Sequence, residues 1–518
     1  MPPVGAGGIR HSPLPRRSMP KHVFPCVLVF LAVLTLAAPR AGETLSPPPR
    51  LLEDLSRRHL PEGITLYAKD WFRLSQWHYF DPATPGGDPD YGYVSNRFRF
   101  GLKAKRRKWG ANIGFQYVKQ AFLPDGASGT PGGALGLGAT YFAQNGRTTD
   151  PDSLYLKFLN FSLYDIAGSG LDLTLGRMGY GSGVETLSGV KKIDWLKKTR
   201  IDARLIGGFG WSLYQRSFDG VKAGWDHGPG HLSLAWLRPT QGGFEGDAGE
   251  EITDINVTAA AYTFKPGRVL PGAELQIFHY YYDDQRDIPA RSDNSGLTAT
   301  GQDMAIHSLG GHVAGSYALG AGIMDILLWG VCQGGDWFEQ SHDAHGVAAE
   351  LGYQWPQLPW KPWLRAGVFR GSGDGDAADD SHGTFFQMLP TVRKYAFTTA
   401  YNLMNNTDFF LQALLAPTPE LSLRGDVHFV RLSESADLWW GGAGATQANG
   451  LASGYSGRSS GGNTKLGTTL ELTAKYQLTE AIGLHGFYSH IFGSDVVVAN
   501  FSDDADFDFF FLETTLSF

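Results

Sequence analysis

The chain is poor in cysteine: Cys26 and Cys332 are its two. Cys26 lies inside an apolar leader run with no lipobox around it, so it is not read as a lipid anchor. Cys332 is then alone, which excludes intrachain disulfides and metal sites of the Cys-cluster type. Beyond residue 50 no stretch approaches the roughly 18 consecutive apolar residues of a spanning helix, so a helical membrane protein is excluded. The net charge of −7 is mild and argues against nucleic acid as a partner. No linker or shift of composition divides the 518 residues, although they could hold several ordinary domains. Neither a CxxCH haem motif nor a phosphate loop occurs, and no cofactor is expected.

What the chain does have is glycine (68 residues), aromatics (13%) and modest charge (18%). Its first part, KHVFPCVLVFLAVLTLAAPRA at 21–41, carries a basic start, an apolar run and small residues. Residues 1–41 therefore read as a secretory signal peptide, with Met19 a more natural start than Met1 and Ala41 a plausible last position. Residues 42–63, with Pro47–Pro49 and RLLEDLSRRHLPEG, read as a periplasmic lead-in with a helical turn or two. Such an export signal predicts the outer membrane of a Gram-negative cell as the destination of a β-barrel.

From residue 64 the pattern has a period of two. FRFGLKAK (98–105) sets Phe98, Phe100, Leu102 and Ala104 against Arg99, Lys103 and Lys105. GANIGFQY (110–117), LDLTL (171–175), LSLAW (232–236), LSLRGDVHFV (421–430) and LELTAKY (470–476) alternate in the same way. The gaps between these runs alternate long and short. Long ones cover 81–94, 123–151, 179–211, 240–251, 285–304, 335–343, 372–406, 433–463 and 493–505; the short ones begin at 105–110 and end at 478–483. This rhythm predicts an all-β fold, a membrane-spanning antiparallel β-barrel of about 18 strands over 64–518, with short periplasmic turns and long extracellular loops. The final FDFFFLETTLSF fits its closing strand. Phe510, Leu512, Thr514, Leu516 and Phe518 form one row, and lipid would cover it.

LTLGRMGYGSGVETLSG (173–189), followed by YQRSFDGVKAGW (214–225), resembles the alginate-export porin family. The resemblance rests on a strand ending in Gly176-Arg177, a glycine-bearing loop, and a strand carrying Arg216, Phe218, Asp219 and Gly220. SGDGDAADDSHGTFFQMLP (372–390), YNLMNN (401–406) and the closing segment 467–493 continue it. It implies an 18-stranded outer-membrane barrel with a basic lumen, through which an anionic polysaccharide such as alginate leaves the periplasm.

Alternation by itself places Lys69, Arg73, Arg97, Arg99, Lys103, Lys105, Lys157, Arg216, Lys222, Arg365, Arg424 and Lys475 on the face away from lipid. Asp172, Glu274, Glu350, Asp426 and Glu471 fall on that face too, so the cationic excess is modest. The row Arg97, Arg99, Lys103, Lys105 is the leading selectivity ladder, because a water-excluding wall focuses the field of stacked cations onto anions. The acid-rich runs 373–380 and 501–508 lack the spacing and closing Glu of an EF-hand and read as solvated loops; no metal site is expected. Catalysis finds little footing: Ser489 and His490 are neighbours in one strand and point to opposite faces, and His485 stands apart. The expected function is a channel passing an anionic polysaccharide or other small anions, embedded in outer-membrane lipid and served by periplasmic export or synthesis proteins. A general or small-anion porin, and a barrel scaffolding a periplasmic complex, are the alternatives.

Overall fold

The structure, a computed structural model, describes residues 51–129, 133–287, 303–391, 396–442, 444–448, 456–502 and 505–518. The expected signal peptide and the first part of the lead-in lie outside these residues. The described residues form one compact unit.

Eighteen antiparallel strands close into a barrel. They are β1 (Ile64–His78), β2 (Asp90–Lys105), β3 (Trp109–Ala121), β4 (Asp152–Leu163), β5 (Leu171–Met178), β6 (Phe218–His227), β7 (Gly230–Pro239), β8 (Ile255–Phe264) and β9 (Ala273–Asp284). They continue with β10 (Met304–Leu319), β11 (Gly322–Trp337), β12 (Gln340–Gln354), β13 (Trp363–Gly371), β14 (Thr407–Leu415), β15 (Leu421–Arg431), β16 (Lys465–Gln477), β17 (Ile482–Gly493) and β18 (Asp506–Ser517). Each strand pairs with its sequence neighbours, and β18 pairs with β1 from Lys69↔Ser517 to His78↔Asp508. Closure leaves no open edge, which lets a sheet stand in hydrocarbon. The periplasmic end of β1 outruns β18. There the helix α1 (Leu51–His59) covers the gap: the Leu66 amide donates to Ser56 Oγ at 2.8 Å, and the Phe518 amide donates to Ala68 O at 3.0 Å.

The pleat sorts side chains by burial. Phe72, Leu74, Leu159, Leu309, Leu328, Leu411 and Leu472 are exposed on the outer face, as a lipid-facing surface requires. In β18 the row Phe510, Leu512, Thr514, Leu516 pairs with the outer row of β1, while Phe507, Phe509 and Phe511 are fully buried inside. A bulge opposite Gly114 and Phe115 turns both Lys157 and Phe158 inward.

One expected loop is absent. The stretch 335–343 is strand on both sides of a two-residue turn, Phe338-Glu339, with Phe338 at φ 53°. Such a tight hairpin breaks the alternation of long and short at this one place, and glycines at 334 and 335 had imitated a loop. Another expected boundary moves: the loop after β5 runs to residue 217, so Arg216 belongs to it and not to a strand.

Candidate functional site

Two of the long connections do not stay outside. In the one between β5 and β6, KKIDWLKKTRIDAR (191–204) forms helix α2 (Lys191–Leu196) and one π-helical turn, and it packs inside the barrel. Ile193, Leu196, Ile201, Leu205 and Ile206 are buried against wall residues of β7 to β11, among them Leu237, Tyr280 and Leu327. Burying that apolar stripe holds the segment in the lumen. The connection between β13 and β14 joins it: Leu389 N donates to Leu205 O, and Phe385, Phe386 and Met388 complete the same cluster.

Charge decides which wall this plug faces. Lys197 Nζ meets Glu274 Oε1 at 2.5 Å, and His312 Nε2 approaches the same oxygen at 3.2 Å. Arg200 Nε lies 2.8 Å from Glu350 Oε2, and Arg365 Nη2 lies 3.0 Å from it. Arg365 Nε also reaches Asp325 Oδ1 at 3.1 Å, and the Trp363 indole N–H donates to Asp325 Oδ2 at 2.7 Å. All of these side chains are almost wholly buried. Charges removed from water this way persist only when each is matched, and here each carboxylate has at least two partners. Lys192, on the same helix, has its amine within 3.5 Å of the Trp363 ring centre, and burial pushes it down to about 8.

Elsewhere in the lumen the acids are also engaged. Glu471 accepts the backbone N–H groups of Phe397 and Thr398 at 3.2 and 3.1 Å. Asp426 holds Arg424 at 2.6 Å, and Glu513 holds Arg73 at 2.8 Å. Asp172 accepts the amide of Asp165 at 2.8 Å beside a periplasmic turn.

The expected ladder lies on the other side. The register points Arg97, Arg99, Lys103 and Lys105 of β2 inward, with Lys69 opposite Arg99 on β1 and Gln116 opposite Arg99 on β3. Arg97 donates to the carbonyls of Ser212 and Leu213, and Arg99 to the amide oxygens of Gln116 and Gln215. Lys103 sits over the Tyr67 ring, and Lys157 donates to the carbonyls of Gln215 and Arg216. Among the described residues no carboxylate lies within ion-pair distance of Lys69, Arg97, Arg99, Lys103, Lys105, Lys157, Lys222 or Lys475. Arg365, Arg424 and Arg73, by contrast, are matched by acids. Arg216 is buried where the plug rejoins the wall, its guanidinium 5.4 Å from the Phe209 ring centre.

Open space lies beside several of these cations. A cavity of about 420 Å³ lies between the plug and β2 to β6, lined by Arg99, Lys157, Arg216 and Lys222 with Glu185 and Asp202. A second, of about 570 Å³, opens at the periplasmic end between Lys69 and Lys475 on one hand and Glu420, Glu480 and Glu513 on the other. A third, of about 320 Å³, lies between Trp195, Phe397, Arg424 and Lys475.

The family-motif residues have a different role from the ladder. Gly176 pairs with Gly220 at φ 104° and 156°, where a Cβ would strike a neighbouring carbonyl. Arg177 clamps Asp219 through Nε at 2.8 Å and Nη2 at 2.5 Å, and donates to Gly249 O of the next loop. The pair faces outward, not into the lumen. Phe218 is fully buried on the inner face.

Reading in sequence missed the plug cations Lys197, Arg200 and Arg204. Their signal was present: cations interleaved with apolar residues at helical spacing, inside a segment otherwise read as an external loop. The groups weighed for catalysis do not converge. Ser489 Oγ is held by Thr398 Oγ1 inside, His490 binds Asp508 outside, and His485 faces Glu513.

No curated protein sequence matches the chain. Among solved structures it is similar to OccK1 (OpdK) of Pseudomonas aeruginosa, at 10% identity and TM-score 0.50, covering 88% of this chain and 98% of that one. Acinetobacter baumannii OccAB4 is similar at 8% identity and TM-score 0.50, with the same coverage. At such identity the likeness concerns the fold alone. The family model described as alginate export matches residues 140–509. The chain is an outer-membrane channel, and it belongs to the alginate export family.

Proposed function

We propose that the channel passes an anionic, alginate-like polysaccharide from the periplasm to the exterior along the wall formed by β1 to β6 and β15 to β18. One observation supports this most. The lumenal acids that made the cationic excess look modest are engaged by plug, wall and backbone, so that among the described residues Lys69, Arg99, Lys157, Lys222 and Lys475 border the open cavities with no carboxylate at ion-pair distance. A polyanion entering past Lys103 would meet Lys69, Arg99 and Lys157 in turn. Periplasmic export or synthesis proteins would deliver the chain to that mouth. The filled lumen favours a second reading, passage of small anions with the plug in place. Planar-bilayer recording tests both. Anion-selective current blocked by oligouronate, but not by a neutral oligosaccharide of equal length, is the expected result. Anion-selective current indifferent to oligouronate leaves the small-anion reading standing. Cation selectivity, or equal block by both sugars, sinks the proposal.

A further inference from the structure

At the outer rim, β15 and β16 pair in register up to Val430↔Gly467 and then slip, so that Arg431 faces Lys465. The slip is a β-bulge. Without it Leu466 would stand outside opposite Arg431, and Lys465 would point into the barrel. With it, Leu466 is fully buried inside and both cations are exposed on the outer face. Like charges set directly opposite on one face repel. Among the described residues no acid lies within ion-pair distance of either, whereas Arg370 on the same rim has Glu434 at 3.8 Å.

The height of the pair identifies what would relieve it. From Leu421, beside a periplasmic turn, to Arg431 the strand rises about 25 Å, at roughly 3.3 Å per residue and a tilt of roughly 40°. That equals the apolar band of an outer-membrane barrel, so the two cations stand at the outer headgroup level. Below them the surface is apolar and open: Phe409, Phe429 and Phe492 are each nearly half exposed, and Leu411 and Leu472 more so. Two unmatched cations above exposed rings and aliphatic chains complement an amphiphile with a phosphate head and acyl tails.

We propose that Arg431 and Lys465 bind a phosphate of the phosphorylated glycolipid of the outer leaflet, its acyl chains lying over Phe429 and Phe492. The site depends on which rim faces outward and not on what the channel carries. The test uses the folded barrel in detergent, loaded with bis-phosphorylated lipid A, washed, and assayed for retained lipid by mass spectrometry. Heat-modifiable migration checks the fold of each variant. Arg431→Gln combined with Lys465→Gln should retain at least tenfold less lipid A than the parent, while Arg106→Gln with Arg107→Gln, at the opposite rim, should retain as much. Dephosphorylated lipid A should show the same tenfold loss on the unaltered parent, a comparison that needs no variant. Equal retention by parent and rim variant, or retention of phosphatidylglycerol as strong as that of lipid A, overturns the assignment.

Discussion

Two walls of one barrel use the same residue types to opposite ends. On β9 to β13, Glu274, Asp325 and Glu350 meet Lys197, Arg200, Arg204 and Arg365 in a buried, matched network. On β1 to β4, Arg97, Arg99, Lys103 and Lys157 engage carbonyls, amides and a ring, and Lys69, Arg99 and Lys157 border open space. The first wall is a latch for the plug. The second leaves Arg97, Arg99 and Lys157 hydrogen-bonded to neutral groups and not to acids. Acids in a lumen therefore need not oppose anion passage, because a plug that brings its own cations consumes them.

Breaking the latch should give the largest effect. Glu350→Ala removes the buried carboxylate that both Arg200 and Arg365 grip, a loss of about 3–5 kcal/mol for a pair of this kind. The barrel should persist while the plug loosens, so single-channel conductance should rise several-fold and a protease should reach 197–205. Unchanged conductance with a protected plug would show that apolar packing holds it alone.

The open wall is altered by Arg99→Gln with Lys103→Gln, which removes both charges and keeps the side chains polar. The reversal potential in a salt gradient should move toward cation preference, and more so below about 0.1 M salt, where the Debye length exceeds about 10 Å. A potential that stays put removes the ladder from any role in selectivity.

A third difference lies in the connection between β13 and β14, the plug's second part. Burial, reinforced by Asp437, Asp379 and Asp376, raises the Asp374 carboxyl to about 6. Its amide donates to Asp437 Oδ2 at 3.0 Å, and Asp437 also takes the Thr384 hydroxyl at 2.6 Å. A carboxyl raised on folding contributes stability below its unfolded value near 3.8, and that contribution is lost as pH rises through about 6. Hydrogen exchange at 384–389, corrected for intrinsic rate, should be slower at pH 5 than at pH 7.5, and Asp374→Asn should abolish the difference. Equal exchange in the parent at both values would discount the carboxyl.

The smallest effect is expected at the motif pair. Arg177→Lys keeps the charge and loses the two-pronged grip on Asp219, at a cost of about 1 kcal/mol. The midpoint of thermal unfolding should fall by a few degrees with no change in ion selectivity. A selectivity change would move Arg177 from support of the loop to the conduit itself.

The sequence by itself determined the fold, because a period of two is a local property. Each FRFGLKAK-like run carries its own inner and outer face, and the register of β2 follows from it residue by residue. Loop length likewise marked the two rims, apart from Phe338-Glu339, where strand-like flanks with two glycines had the composition of a loop. The tertiary structure alone decided which charges remain unmatched. Arg200 and Glu350 are 150 positions apart, and nothing local to either announces the other. The same holds at the rim, where one bulge residue, Leu466, decides whether Lys465 faces water inside or lipid outside. Alternation is written into neighbouring residues, whereas neutralisation depends on where a long connection comes to rest, and that is settled by burying its apolar stripe against strands far away in the chain.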